Sequence, residues 1–201
     1  TQRVAPGAIH FDKPESRRDT PGIEFQRLDE VPFGRVHVVE LLAEHGAEQW
    51  AGGDLALFVH YMDPHSPYYP PPPFDQRFGG KYSGSVDGYN YQSAARTEAD
   101  REHVRALYDG EIAYTDGEIA RLLEALGQKQ LMDGAVLAYT ADHGEELFER
   151  GAWGHAHTLH EELIHVPFAL RVPGASARRV AQPVSLLDLA PTLLDALGIA
   201  A

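Results

Sequence analysis

Residues 135–167 read AVLAYTADHGEELFERGAWGHAHTLHEELIHVP, and this stretch decides how the rest of the chain is understood. It opens on an apolar run, Ala135 to Ala141, preceded by a turn-like Met132-Asp133-Gly134. A short apolar run bounded by turn residues predicts a buried strand. The run ends in Asp142-His143-Gly144-Glu145. A carboxylate beside an imidazole at the C-terminal end of a buried strand sits where open α/β sheets bind their ligands. Gly144 is the residue type that lets the backbone turn there. His155, His157 and His160 follow closely, and carboxylates with imidazoles suit a divalent cation. Asp-His alone is also the pattern of a solvated pair in a strand-end turn, so the reading needs the longer string.

Working outward, residues 166–172 predict a strand turned by Pro173-Gly174, residues 180–186 a short strand, and residues 188–198 a helix. Asp188 is placed to cap that helix, and Pro191 falls in its first turn, where a missing N–H costs little. Upstream, residues 101–127 keep an apolar period of about 3.6 through Val104, Leu107, Ile112, Ile119, Leu122 and Leu126, with Gly127 at the end. The acids of this helix, Asp109, Glu111, Asp116 and Glu118, read as structural or solvated. Residues 54–61, DLALFVHY, predict a second buried strand. It feeds Met62-Asp63-Pro64-His65-Ser66-Pro67, then a run of prolines from Pro70 to Pro73. Such a loop would hold the His65 imidazole stiffly; His60, within the strand, reads as a supporting or core residue. The segment 74–100 is a long loop rich in Gly, Tyr and Ser, where Tyr82, Tyr89, Asn90 and Tyr91 are candidate substrate contacts. Residues 34–50 show roughly helical spacing and predict an amphipathic helix, and residues 1–33 a surface loop.

The chain has 201 residues, 43% of them hydrophobic, and no cysteine. That is enough for one domain with a core. It excludes disulfides, thiolate metal sites and cysteine nucleophiles within these residues. A net charge of −13 repels nucleic acid and anionic membrane surfaces at long range. An anionic ligand would therefore need a metal and local basic groups to reverse the field. No apolar run has transmembrane length, and no signal peptide opens the chain. Arg and Ala usage points to a bacterial source.

The strings ADHGEEL…GHAHTLHEELIHVPFAL, LFVHYMDPHSPYYPP and LYDGEIAYTDGEIARLLEALG together resemble the sulfatases of the alkaline phosphatase superfamily. The resemblance runs from about residue 54 to 199. It implies a three-layer α/β/α fold with a mainly parallel sheet, here as one partial catalytic domain over 1–201: an N-terminal loop and helix over 1–53, then the matched core over 54–201. It implies a sulfuric ester hydrolase that cleaves sulfate monoesters with a divalent metal, most often Ca²⁺. Asp142 and His143 would be metal ligands. His65 would contact the sulfate, and His155 or His157 would bind it or protonate the leaving group. Many relatives carry a basic residue where this chain has Ala156, so the flanking histidines are the candidates, His155 ahead of His157 because Gly154-His155 sits where the loop turns in. The resemblance also implies a nucleophile in a Cys/Ser-x-Pro-x-Arg motif and a paired-aspartate strand. Neither motif occurs in these residues, so the chain is expected to be the C-terminal part of a sulfatase core, inactive alone. It is expected to pair with the missing half or with a second copy. A sulfated small molecule or glycan is the expected substrate, and periplasmic or extracellular placement is what the family favours. A phosphatase, phosphodiesterase or phosphonate hydrolase of the same superfamily, using Mn²⁺ or Zn²⁺, is the alternative. A non-catalytic binding module is a second alternative.

Overall fold

The computed structural model describes the strand backbones at 24–27 and 36–42, together with residues 55–128 and 130–199. It divides into two compact units, residues 1–60 and 61–201. In the first unit, β1 (Glu24–Arg27) pairs antiparallel with β2 (Val36–Leu42), Glu24 opposite Leu42 and Arg27 opposite Val39. β3 (Leu55–Tyr61) completes a sheet of order β1-β2-β3. The helix expected over 34–50 is therefore a strand in the part described. Val36, Val39 and Leu42 fit a helical spacing, but VHVVELL is also rich in the β-branched residues that favour a pleated surface. The remainder of that expected helix, and most of the expected loop over 1–33, lie outside the described residues. β3 matches the expected strand in position but is not buried: Ala56, Phe58 and His60 are exposed, and His60, its ring 6.3 Å from that of Phe58, is not a core residue.

The second unit is organised by two helices, α1 (Tyr91–Ala94) and the long α2 (Glu98–Gln128). α2 begins at a reciprocal cap. The Asp100 N–H donates to Thr97 Oγ1 at 3.2 Å, and the Thr97 N–H donates to the Asp100 carboxylate at 2.8 Å. Glu98 and Asp100 also place negative charge in the first turn, where the helix dipole favours it. The helix does not stop at Gly127. It closes with Leu131 N–H bonded to the Leu126 carbonyl and Gln130 N–H to that of Gly127, Gln130 taking the left-handed conformation at φ 60°. Two of its acids are buried and structural: Glu111 accepts the Tyr69 N–H at 2.6 Å, and both oxygens of Glu118 accept from one Arg121 nitrogen, Nη1.

The core lies where α2 meets the loop that follows β3. Tyr68 and Val104 are fully buried, with Tyr91, Leu107, Leu147 and Phe148 around them. Tyr68 stacks on Tyr91 at 5.0 Å and meets Tyr108 edge-on at 5.4 Å; each such pair adds about 0.5–1.5 kcal/mol beyond area burial. Gly110 lets the proline loop seat on α2, since a Cβ there would come within 2.7 Å of the Phe74 carbonyl.

β4 (Leu137–Thr140) and β7 (Phe168–Arg171) pair antiparallel, Leu137 opposite Arg171 and Thr140 opposite Phe168. Between them run a small hairpin, β5 (Glu146–Leu147) with β6 (Trp153–Gly154), and the short helix α3 (Glu161–Ile164). The architecture is thus a mixed α/β one. A mainly parallel sheet is not seen among the described residues, where the registered pairs are all antiparallel. The expected strand at 180–186 is not formed; that segment is irregular, bends at Gln182 and runs into a 3-10 turn, Leu186–Asp188. Asp188 makes no side-chain cap to the helix that follows; Ser185 instead caps the 3-10 turn, its Oγ accepting the Leu187 N–H. α4 (Leu189–Ala196) follows and buries none of its residues. No helix among the described residues is long and apolar enough to cross a membrane.

Candidate functional site

Three segments bring the site together. β4 delivers Asp142 and His143 at its C-terminal end. The loop after β3 delivers His65. The β5–β6 hairpin places Glu145 just before one strand and His155 just after the other, and its register, Glu146 opposite Gly154, sets those two side chains facing. Gly144 does not serve through a left-handed turn. It is the residue over which the segment packs, since its N–H donates to the Leu163 carbonyl at 2.8 Å and a Cβ would overlap the Glu162 carbonyl.

The histidines form a cluster. The His155 ring lies 4.1 Å from that of His143 and 5.3 Å from that of His65. His65 and His155 line a pocket of about 250 Å³ with Ser66, Tyr91, Glu145 and Trp153. Each of the three uses Nδ1 on a fixed partner: His65 on the Ser66 carbonyl at 2.7 Å, His143 on the Gly144 carbonyl at 2.8 Å, and His155 on Glu145 Oε1 at 2.9 Å. Such bonds select the tautomer and leave Nε2 as the nitrogen available to a ligand.

The sequence favours His155 slightly over His157; the geometry separates them. His157 does not line this pocket. Its Nε2 bonds Glu146 Oε2 at 2.9 Å and its Nδ1 meets the His155 carbonyl at 3.2 Å. Glu146 is 1% exposed and also accepts the N–H groups of Arg150 and Ala152. The bond to Glu146 raises the His157 pKa, and the same bond, with those two N–H donors, lowers that of Glu146. Between the two histidines Ala156 takes a left-handed conformation, φ 66°, that sends them to different carboxylates. His160 is exposed and supplies its backbone carbonyl to α3. Of the loop candidates, Tyr91 lines the pocket, whereas Tyr82 bonds Asp100 and stacks on His103, and Asn90 bonds the Asp87 N–H and the Ser85 carbonyl. Tyr89 is largely exposed.

Sequence reasoning missed Glu145 and Tyr68. The Glu145 side chain is 5% exposed, and its second oxygen accepts the Tyr68 hydroxyl at 2.9 Å across 77 positions of sequence. An acid just after a strand-end turn carries no local sign of burial; only its partner, far along the chain, reveals it.

A divalent cation fits part of this donor set. Asp142 and His143 are exposed, with Asp142 Oδ2 3.9 Å from His143 Nε2. The Gly144 carbonyl orients the imidazole as metal-binding histidines are usually oriented. Among the described residues no group of three or more metal-type side chains converges, so these two would be one part of a shell that for Ca²⁺ takes about six to eight oxygens.

The sequence model of the sulfatase family matches residues 36–199. The chain belongs to the sulfatase family. It is 35% identical over 105 residues to arylsulfatase K of Mus musculus, an alignment covering 52% of this chain and 19% of that protein. It is 32% identical over 110 residues to choline-sulfatase of Rhizobium meliloti (strain 1021), covering 55% of this chain and 21% of that protein. The chain therefore spans about a fifth of the length of these curated relatives. Among solved structures it resembles a phosphonate monoester hydrolase from Silicibacter pomeroyi, with a TM-score of 0.58 and 26% identity, over 67% of this chain and 32% of that one. The sulfatase chain shares that alkaline phosphatase-like fold.

Proposed function

We propose that this chain supplies the sulfate-binding and part of the cation-binding side of a sulfatase that hydrolyses sulfate monoesters. The observation that carries the reading is the convergence of His65, His143 and His155 at one pocket edge, each with Nδ1 fixed by a partner. In this reading Asp142 and His143 hold a divalent cation, Ca²⁺ by family preference, which when bound neutralises and polarises a sulfate oxygen. His65 and His155 bind the remaining oxygens as imidazolium through Nε2–H, and His155 gives that Nε2 proton to the leaving alkoxide, its Nδ1 proton staying hydrogen-bonded to Glu145. His157 is assigned to holding Glu146, not to the substrate. The substrate class is a sulfated small molecule or glycan, and the Tyr91 and Trp153 rings would border its organic part.

The paired aspartates and the nucleophile come in this reading from the rest of a sulfatase core. The exposed apolar side chains of β7 and of the residues flanking α4, Phe168, Leu187 and Leu197 among them, support such a covering partner. A three-layer sheet of mainly parallel strands would form with it. Asp142→Ala in the complete gene product is expected to abolish Ca²⁺ binding by calorimetry and to lower aryl sulfate turnover by at least about 10³-fold; unchanged turnover would remove Asp142 from the site. A second reading, phosphonate or phosphate ester hydrolysis with Mn²⁺ or Zn²⁺, is favoured by the structural likeness to the phosphonate monoester hydrolase. Parallel assays on an aryl sulfate and a phosphonate monoester, each across the three metals, separate the two.

A further inference from the structure

We propose that Glu145 is the positioning residue of this site, holding His155 and, through Tyr68, the His65 loop, and that only a carboxylate can do so. Its catalytic consequence rests on the sulfatase reading above.

Glu145 receives two donors. Oε1 faces His155 Nδ1 at 2.9 Å, and Oε2 accepts the Tyr68 hydroxyl at 2.9 Å. The side chain is 5% exposed, so water does not replace either bond cheaply. Tyr68 is a fixed donor: it is fully buried, and burial first, then Tyr91 and the Glu145 charge, push its phenol far above the usual range. Tyr68 stacks on Tyr91, whose hydroxyl meets Ser66 Oγ at 3.1 Å, beside the carbonyl that holds His65. One carboxylate thus links the two segments that carry the anion-facing histidines. The link has a chemical polarity. With Tyr68 donating to one oxygen, the other must accept from His155, so the Nδ1 proton is held inward and Nε2 is left to the pocket. Glutamine has the same shape but one acceptor and one donor. If its oxygen serves Tyr68, its NH₂ faces Nδ1 and favours the opposite tautomer.

The test uses ¹⁵N-labelled complete protein, reading the His155 ring nitrogens by NMR and aryl sulfate turnover beside them. The wild type is expected to carry the neutral-ring proton on Nδ1. Glu145→Gln is expected to shift His155 towards the Nε2–H form and to lower kcat about 10- to 100-fold, as loss of an orienting partner does, with KM moving far less. Adding Tyr68→Phe to E145Q frees the glutamine oxygen for Nδ1 and is expected to restore part of both signals. Tyr68→Phe alone should leave the tautomer unchanged. A wild-type ring protonated on Nε2, or an E145Q protein with unchanged tautomer and kcat, would overturn the proposal. So would a Y68F protein in which the two tautomers mix, which keeps the test open if E145Q does not fold. A tautomer shift as expected in a protein with no sulfate ester turnover would leave the positioning role standing and remove the sulfatase reading.

Discussion

His155 and His157 stand on either side of a single residue, yet they belong to different parts of the molecule. His155 meets Glu145, which shares its carboxylate with Tyr68, and its ring lies against two other histidines at a pocket. His157 meets Glu146, which is buried and already takes two backbone N–H groups of the hairpin turn. The bonds have the same length and the same partner types. What differs is what is left over: His155 keeps a nitrogen for a ligand, and His157 spends both within the protein. A histidine–carboxylate pair is therefore a sign of function only when one ring nitrogen remains uncommitted.

That contrast can be broken at several points. Glu146→Ala should have the largest effect on stability. It orphans the Arg150 and Ala152 N–H groups and His157 together, and a fall in Tm on the order of 5–10 °C is expected by calorimetry. An unchanged Tm would mean that the pair is ornamental.

The pH dependence of the same pair follows from its shifts. The His157 pKa is raised above its ordinary 6.5, so its contribution is fully present below that value and lost as the pH climbs through the raised one. The Glu146 pKa is lowered below its ordinary 4.5, so its contribution is present above that value and lost as the pH falls through the lowered one. The Tm difference between the wild type and His157→Gln should therefore be largest between these two ordinary values and shrink on both sides. A difference that is flat with pH would contradict the ion-pair description. The smallest effect is expected at the hinge. Ala156→Gly relieves a left-handed strain of about 1–2 kcal/mol, partly offset by greater freedom of the unfolded chain. A Tm rise of a few degrees with unchanged turnover is expected; a loss of turnover would show that the alanine methyl itself orders His155.

Much of this was legible in the residues. Strands β3, β4 and β7 and the helices α2 and α4 are marked by local pattern, apolar runs and a sustained helical period; His65, Asp142, His143 and His155 are site candidates through the family resemblance, and the structure brings the three histidines together. Three features were not. The β2 segment differs from the helix expected there because Val36, Val39 and Leu42 satisfy a helix while VHVVELL satisfies a strand, and pairing with β1 decides between them. The antiparallel β4–β7 pairing depends on how the intervening hairpin folds back, which no periodicity encodes. The roles of Glu145 and Glu146 depend on hairpin register and on Tyr68, a partner far along the chain. An acid beside an acid after a turn reads as solvent-facing until its partners are located.

The most direct test of the division between the two histidines is a paired measurement on the complete protein, comparing His155→Ala with His157→Ala for kcat on an aryl sulfate and for Tm. The expected result is a loss in kcat of about 10²–10⁴-fold for H155A, with a fall in Tm as well because one buried oxygen of Glu145 loses its donor, and a lower Tm with kcat largely kept for H157A. The reverse assignment, with H157A losing turnover and H155A losing only stability, would contradict it.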